Sequence, residues 1–328
     1  MIPERQLLKW FRSLRQSKNP EVMLGIGDDC AVLSLPPGQE TLVTTDFSIE
    51  GIHFRRDWQS PESIGHRCLA RGLSDIAAMG GTPAAAFLSL ALPARLSPAW
   101  PDRFLEGLLA LARTHRVELA GGDTAESPGG VVADIIVVGR VRRGRALLRC
   151  GAKPRDLIYV TGDLGESAAV LHLLGSGRIK KRDVFSQPRV AVGEWLVRRG
   201  VGTSAIDISD GFSTDLSHLC EESGVGAAIE SDKIPIHMEA RKLSRNERGG
   251  EQASRLSLQL ALHGGEDYEL LFTASRSKHI PERIAGVKVT RVGEVLRERK
   301  MYLVQNGKCA ILMPRGWEHF SAAKKSAH

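Results

Sequence analysis

Two stretches in the second half of the chain pass through the same order of elements. LIYVTGDLGESAAVLHLLGSG (157–177) and AIDISDGFSTDLSHLCEESG (205–224) each run from an apolar strand pattern through a glycine turn into a helical pattern closed by glycine. LHGGEDYELLFTA (262–274) adds a glycine turn feeding a strand, and VVADIIVVGRV (131–141) is a strong strand by itself. Strands alternating with helices restrict the class to α/β (α+β). At 328 residues, the length suggests two domains. The basic, Gly- and Pro-containing connector GRALLRCGAKPRD (144–156) places their boundary near residue 143, giving domains 1–143 and 144–328.

One uncharged window, Ile76 to Ala94, is long enough to raise a membrane span. Gly80-Gly81-Thr82-Pro83 at its middle reads instead as a helix end, a turn and then the buried strand AAAFLSLAL. The N-terminus MIPERQLLKWFRSLRQ carries charge in every turn and has no apolar leader core. Cys30, Cys68, Cys150, Cys220 and Cys309 are scattered, with no C-x-x-C pair, which suits a reducing compartment rather than a disulfide framework. A cytoplasmic protein without a membrane partner is expected. The net charge is +7, with clusters at Arg140–Arg149, Lys180–Arg182 and Arg241–Arg248. Few aromatics interleave with them and no nucleic-acid motif occurs, so a nucleic-acid partner is not expected.

The chemistry concentrates in aspartates that follow small residues at the ends of apolar runs: Asp28 and Asp29, Asp46 after Thr44 and Thr45, Asp123 in GGDT, and Asp207 and Asp210 in AIDISDG. Asp75 stands inside a helical pattern. Each alone is a turn former or helix cap. Together, on the ligand-binding edge of an α/β sheet, so many carboxylates repel one another unless cations neutralise them. Magnesium suits such a set, with Thr44, Thr45 and Ser209 adding neutral oxygens. Asp215, early in a helix, is read as helix-start chemistry.

No P-loop, nucleophile elbow or H-E-x-x-H pattern occurs. Gly162 and Gly165 in GDLGES serve either a phosphate or tight packing. In GGD, Gly122 allows backbone to approach a phosphate beside Asp123. By residue type alone, Arg149 is solvated, His53 structural, Glu266 with Asp267 a turn pair, and Trp317 a packing anchor.

Seven motifs stand in the order of the thiamine-monophosphate kinase family, which the chain resembles over nearly its whole length: GIGDDCAVL, TTDFSIEGIHF, LSDIAAMGGTPA, GGDT, GRALLRCGAKPRD, AIDISDG and GGEDYEL. The resemblance implies a homodimer whose paired N-terminal sheets form a β-barrel, and ATP-dependent phosphorylation of thiamine monophosphate, the last step to thiamine diphosphate. It implies an N-terminal ATP, magnesium and dimerisation domain, and a C-terminal domain completing the nucleotide and substrate site. It assigns Asp29, Thr44, Thr45, Asp46, Asp75, Asp123, Asp207 and Asp210 to several magnesium ions. Gly122, Asp123, Arg149 and Ser209 go to ATP, and His53, Glu266 and Trp317 to the thiamine phosphate. No general base is implied.

Departures are His263 where serine usually precedes GGEDYE, Trp317 where relatives often have tyrosine, and the charged insert EARKLSRNERGGEQASR (239–255), read as a mobile loop. Two rivals are an aminoimidazole-ribonucleotide-type ligase of the same superfamily and a non-catalytic nucleic-acid binder. AIDISDG with GGEDYE argues against the first, and the clustered acids against the second.

Overall fold

The computed structural model describes residues 19–24, 26, 30–34, 36–246 and 251–318. The chain forms two compact units, Met1–Ala146 with Leu174–Arg198 and Leu147–Leu173 with Arg199–His328. The return of 174–198 to the first unit was not part of the sequence reading.

The first unit opens with an antiparallel ribbon, β1 (Val22–Leu24) and β2 (Val32–Leu33). Its main sheet comprises β3 (Gln39–Ile49), β4 (Thr82–Pro93), β5 (Glu118–Ser127) and β6 (Val132–Arg142), in the order β3-β6-β4-β5. Helices α1 (Pro61–Ala78) and α2 (Ala99–His115) pack together, and α1 covers one face of the sheet. Ser60 starts α1 by accepting the Ser63 N–H at 3.2 Å, with Pro61 in the first turn where no N–H is needed. Gly72 seats the helix closely, since a Cβ there would lie 2.6 Å from Val137 Cγ2. Leu69, Leu73 and Ile76 fill the interface. The uncharged window is thus helix, turn and strand, as its Gly-Gly-Thr-Pro centre indicates.

Alternation along β3 sends Leu42, Thr44, Asp46 and Ser48 toward α1 and the next residues to the opposite face. There Val43 and Phe47 are 65% and 58% exposed. Among the described residues the sheet is open and forms no closed barrel.

Beyond the connector lie β7 (Leu157–Thr161), α3 (Glu166–Gly175) and α4 (Val190–Arg199). The second unit continues with β8 (Gly202–Asp207), α5 (Phe212–Ser223), β9 (Gly226–Glu230), α6 (Met238–Asn246), α7 (Glu251–His263) and β10 (Leu270–Ala274). It closes with β11 (Arg283–Ile284), β12 (Val287–Leu296), β13 (Met301–Gln305) and β14 (Lys308–Ile311). Its sheet runs β14-β13-β9-β12-β7-β10-β8, with β11 beside β12. Ile158, Val160, Ile206, Phe212, Leu216, Leu219 and Leu271 share its core. Helix α5 ends on Gly224 at φ 66°, the left-handed cap the sequence signalled.

The sheets are mixed and mainly antiparallel, with β4/β5 and β9/β13 the parallel pairs. Two expectations change. Asp46 and Asp123 lie within β3 and β5 rather than at strand ends, because β3 pairs with β6 along its whole length and β5 with β4 through Ser127. The 239–255 insert is not a loop: α6 runs to Asn246 and α7 starts at Glu251, in keeping with the strong helix formers Glu, Ala, Arg, Lys, Leu and Gln.

Candidate active site

In the first unit the Thr44 hydroxyl donates to the Asp75 carboxylate, tying the middle of β3 to α1. Asp46 shares that face, two residues on. Thr45 faces the other way, and its hydroxyl donates to Asp134 Oδ1 at 2.7 Å. The register continues this second grouping across the sheet, from Phe47 to Asp134, Ser89 and Asp123 on successive strands. Asp134 was missed in sequence. Its one signal was a charge inside the otherwise apolar VVADIIVV.

Asp123 is exposed and its Oδ1 accepts the Thr124 N–H at 2.8 Å. Beside it Gly122 has φ 149°, and a Cβ would fall 1.9 Å from Leu88 O, so the close approach of β4 by itself demands glycine. His53 closes the turn after β3, with Nδ1 accepting the Ile49 N–H at 3.0 Å, which leaves the proton on Nε2. The same turn is held by Glu50, which accepts from Arg56 Nε at 2.6 Å and from the Val131 N–H at 2.8 Å. Asp29 lies outside the described residues.

In the second unit, three chain segments meet at the head of α5. Glu266 N–H donates to Ser209 O at 2.8 Å, and Trp317 N–H to Asp210 O at 2.9 Å. Gly265 and Gly316 make these approaches possible, since a Cβ would fall 2.5 Å from Ser209 O and 2.1 Å from Asp210 O respectively. Gly316 N–H also donates to Thr214 Oγ1 at 2.9 Å. Ser209, Asp210, Glu266 and Trp317 are therefore neighbours, with the buried Asp207 at the end of β8 just before them.

Asp215 folds back to accept the N–H groups of Gly211 at 3.0 Å and Asp210 at 3.2 Å. Its helix-start role stands, and it also fixes the Asp210 turn. Burial, followed by the charges of Asp207 and Asp210, pushes its carboxyl well above the usual carboxylate range. Negative charge is concentrated here.

Arg149 lies apart from that cluster. Its carbonyl accepts from Ser223 Oγ at 2.9 Å, at the end of α5 about 16 Å from the Asp210 turn by helical rise. GDLGES is closely packed: Gly165 N–H donates to Asp267 at 2.9 Å, Gly162 N–H to Lys288 O at 2.9 Å, and a Cβ on Gly162 would fall 1.9 Å from Glu269 Oε1.

Residues 27–141 match the family described as AIR synthase related protein, N-terminal domain. The whole chain is 37% identical over 330 residues to the thiamine-monophosphate kinase of Escherichia coli (strain K12), covering 96% of this chain and 97% of that protein. The chain belongs to the thiamine-monophosphate kinase family.

Solved thiamine-monophosphate kinases agree. The enzyme from Stenotrophomonas maltophilia K279a has a TM-score of 0.77 at 33% identity, covering 93% of this chain and 96% of that one. AaThiL complexed with AMPPCP and TMP has a TM-score of 0.73 at 29% identity, covering 97% of both chains.

Proposed function

We propose that this thiamine-monophosphate kinase family member transfers the γ-phosphoryl group of ATP to the phosphate of thiamine monophosphate, giving thiamine diphosphate and ADP. The observation that carries this reading is the meeting of Ser209, Asp210, Glu266 and Trp317 at the head of α5, from three segments distant in sequence. The family motifs imply nucleotide, metal and acceptor roles for these four residues, and their meeting supports that reading. The AaThiL relative complexed with AMPPCP and TMP supports the same pair of substrates.

The residues present fit magnesium. Their donors are hard carboxylate and hydroxyl oxygens, and Asp207 and Asp210 crowd negative charge onto Asp215. Among the described residues no three His, Cys, Asp or Glu side chains converge to hold a metal by themselves. Magnesium at phosphoryl-transfer sites takes one or two carboxylates together with water and substrate phosphates, so smaller groupings suffice. In the first unit we assign Asp29, Thr44, Thr45, Asp46, Asp75 and Asp123 to magnesium, Thr45 and Asp123 standing on the face of the sheet opposite Thr44, Asp46 and Asp75. In the second unit, taken by itself, we assign Asp207 and Asp210. When bound, the ions supply the positive charge that lets two polyanions approach.

Gly122 and Asp123 with Arg149 and Ser209 are proposed for ATP, and His53, Glu266 and Trp317 for the thiamine phosphate. The acceptor phosphate, with a second pKa of about 6, is largely ionised at neutral pH. Its oxygen attacks the γ-phosphorus in line as the bond to the β-phosphate oxygen breaks, so no protein base need remove a proton. The chain's task is positioning.

We further propose that the enzyme is a cytoplasmic homodimer. Its copies would meet through the open face of the β3-β6-β4-β5 sheet, where Val43 and Phe47 are exposed, and close a barrel between them. The deciding experiment incubates purified protein with ATP, magnesium and thiamine monophosphate and separates the products. Thiamine diphosphate in step with ADP is expected. ADP released only with an aminoimidazole ribonucleotide precursor would overturn the assignment.

A further inference from the structure

Glu266 and Tyr268 both sit in the left-handed region, at φ 63° and 52°. Neither is glycine, and each such residue costs about 1 kcal/mol or more. A turn strained twice within three residues needs an anchor. Glu266 N–H bonds to Ser209 O and Tyr268 N–H to Ile208 O at 2.8 and 2.9 Å, both on the strand end that leads to Asp210. Asp267, between them, reaches a different element. Its Oδ2 accepts the Gly165 N–H at 2.9 Å, and the carboxyl also receives the backbone N–H of Ser167, at the head of α3. These are N–H groups that a helix start leaves without intrahelical partners.

We propose that Asp267 is a positioning residue for the acceptor substrate, clamping the strained turn that presents Glu266 onto the head of α3. This rests on the acceptor role given to Glu266 above. The clamp ties the turn to a second element: the Ser209 and Ile208 bonds hold it to the strand end that leads to Asp210, while Asp267 holds it to the head of α3. The glycines before it cannot resist rotation, and Gly264 and Gly265 are required there by contacts with Leu260 O and Ser209 O, each within 2.5 Å of a would-be Cβ. Rigidity must come from the far side of the turn, where Asp267 supplies it. Asp267 is half-buried beside Glu269 and Glu166, and its two backbone N–H partners hold it in place.

The test measures kcat and the KM values for thiamine monophosphate and ATP, with a double-mutant cycle against Glu266→Gln. Asp267→Ala is expected to raise the KM for thiamine monophosphate about tenfold or more, with the KM for ATP within about twofold of wild type. Asp267→Asn retains one acceptor for Gly165 and should fall between. In the Glu266→Gln background the effect of Asp267→Ala should shrink, because it acts through Glu266. Equal rises in both KM values, or full additivity with Glu266→Gln, would overturn the proposal. If Asp267→Ala does not fold, Asp267→Asn carries the same comparison. If the wild type does not turn over thiamine monophosphate, the acceptor reading fails separately, and amide hydrogen exchange decides this one. Faster exchange over 264–268 in Asp267→Asn supports the clamp, and unchanged exchange refutes it.

Discussion

The Thr44 hydroxyl donates to the carboxylate of Asp75, so a mid-strand residue of β3 orients an acid carried by α1. This contact joins two sequence motifs 31 positions apart and fixes one carboxylate edge of Asp75. If Asp75 holds a magnesium ion as proposed, Asp75→Asn should lower kcat/KM by about 100-fold or more, because the ion it retains is what offsets phosphoryl charge. Thr44→Val removes the orienting bond, which costs about 1 kcal/mol of stability, together with one neutral oxygen proposed for magnesium, and should lower activity less than loss of the Asp75 carboxylate charge. Steady-state kinetics and denaturant unfolding of the two variants separate the roles. Equal activity losses would overturn the ranking of the charged carboxylate above the neutral hydroxyl.

Asp210 and Asp215 lie in one turn and should fail differently. Asp210→Asn is expected to lose about 100-fold or more in turnover while melting near wild type, since it removes one member of a repelling group. Asp215→Ala leaves the Gly211 and Asp210 N–H groups without their acceptor and should lose about 1–3 kcal/mol of stability. Magnesium should raise the melting temperature of the wild type, because ligands that bind only the folded state stabilise it. That rise should shrink in Asp210→Asn. An undiminished rise would remove Asp210 from the metal set.

The cysteines give a check of the fold that does not depend on activity. Cys68 and Cys220 are buried, and burial pushes each thiol up to about 12. Cys30, Cys150 and Cys309 are exposed. A thiol-specific alkylating agent at pH 8 should label those three rapidly, leaving Cys68 and Cys220 until denaturant is added. Mass spectrometry of the digested protein reads the pattern directly. Native labelling of Cys68 would mean that α1 does not seat on β3 as described.

Much of this architecture could be read from residue types. The Gly80-Gly81-Thr82-Pro83 break placed the α1–β4 junction, and AIDISDG followed by Gly224 bounded β8 and α5. Asp46 and Asp123 were misplaced at strand ends because Thr-Thr-Asp and Gly-Gly-Asp look like turns locally. Pairing with β6 and β4 carries both strands past them, and such long-range pairing leaves no local trace. The second-unit site was legible as motifs but not as a cluster. Only the folded chain shows that Gly316 and Trp317 dock on the Asp210 turn, or that Asp267 braces Gly165. Asp134 was overlooked, and Asp267 was read only as half of a turn pair, because a charge in a strand and a turn aspartate each have an ordinary explanation.

His263 directly precedes GGEDYE, and its contacts predict a pH dependence at this turn. Its Nδ1 lies 2.8 Å from Ser213 Oγ, and that same hydroxyl accepts the Arg315 N–H at 3.3 Å. The pair thereby supports the segment that delivers Trp317 to the Asp210 turn. Burial, with help from the Arg315 charge, lowers the His263 pKa below its ordinary value. A lowered folded pKa means the unfolded chain takes up the proton first. The stability His263 contributes is present above about pH 6.5 and is lost as pH falls through the folded value. In the tautomer whose Nδ1 accepts from Ser213 Oγ, protonation removes that acceptor and forces the hydroxyl to turn, so the Arg315–Trp317 segment should loosen in acid. The KM for thiamine monophosphate is expected to rise between about pH 6.5 and 5 in the wild type, and less steeply in His263→Ser. His66 and His115 are also shifted down by burial, so absolute stability falls in acid for both proteins. The difference between wild type and His263→Ser is therefore the quantity to follow. Parallel pH profiles for the two would show that the histidine is a spacer and not a titrating support.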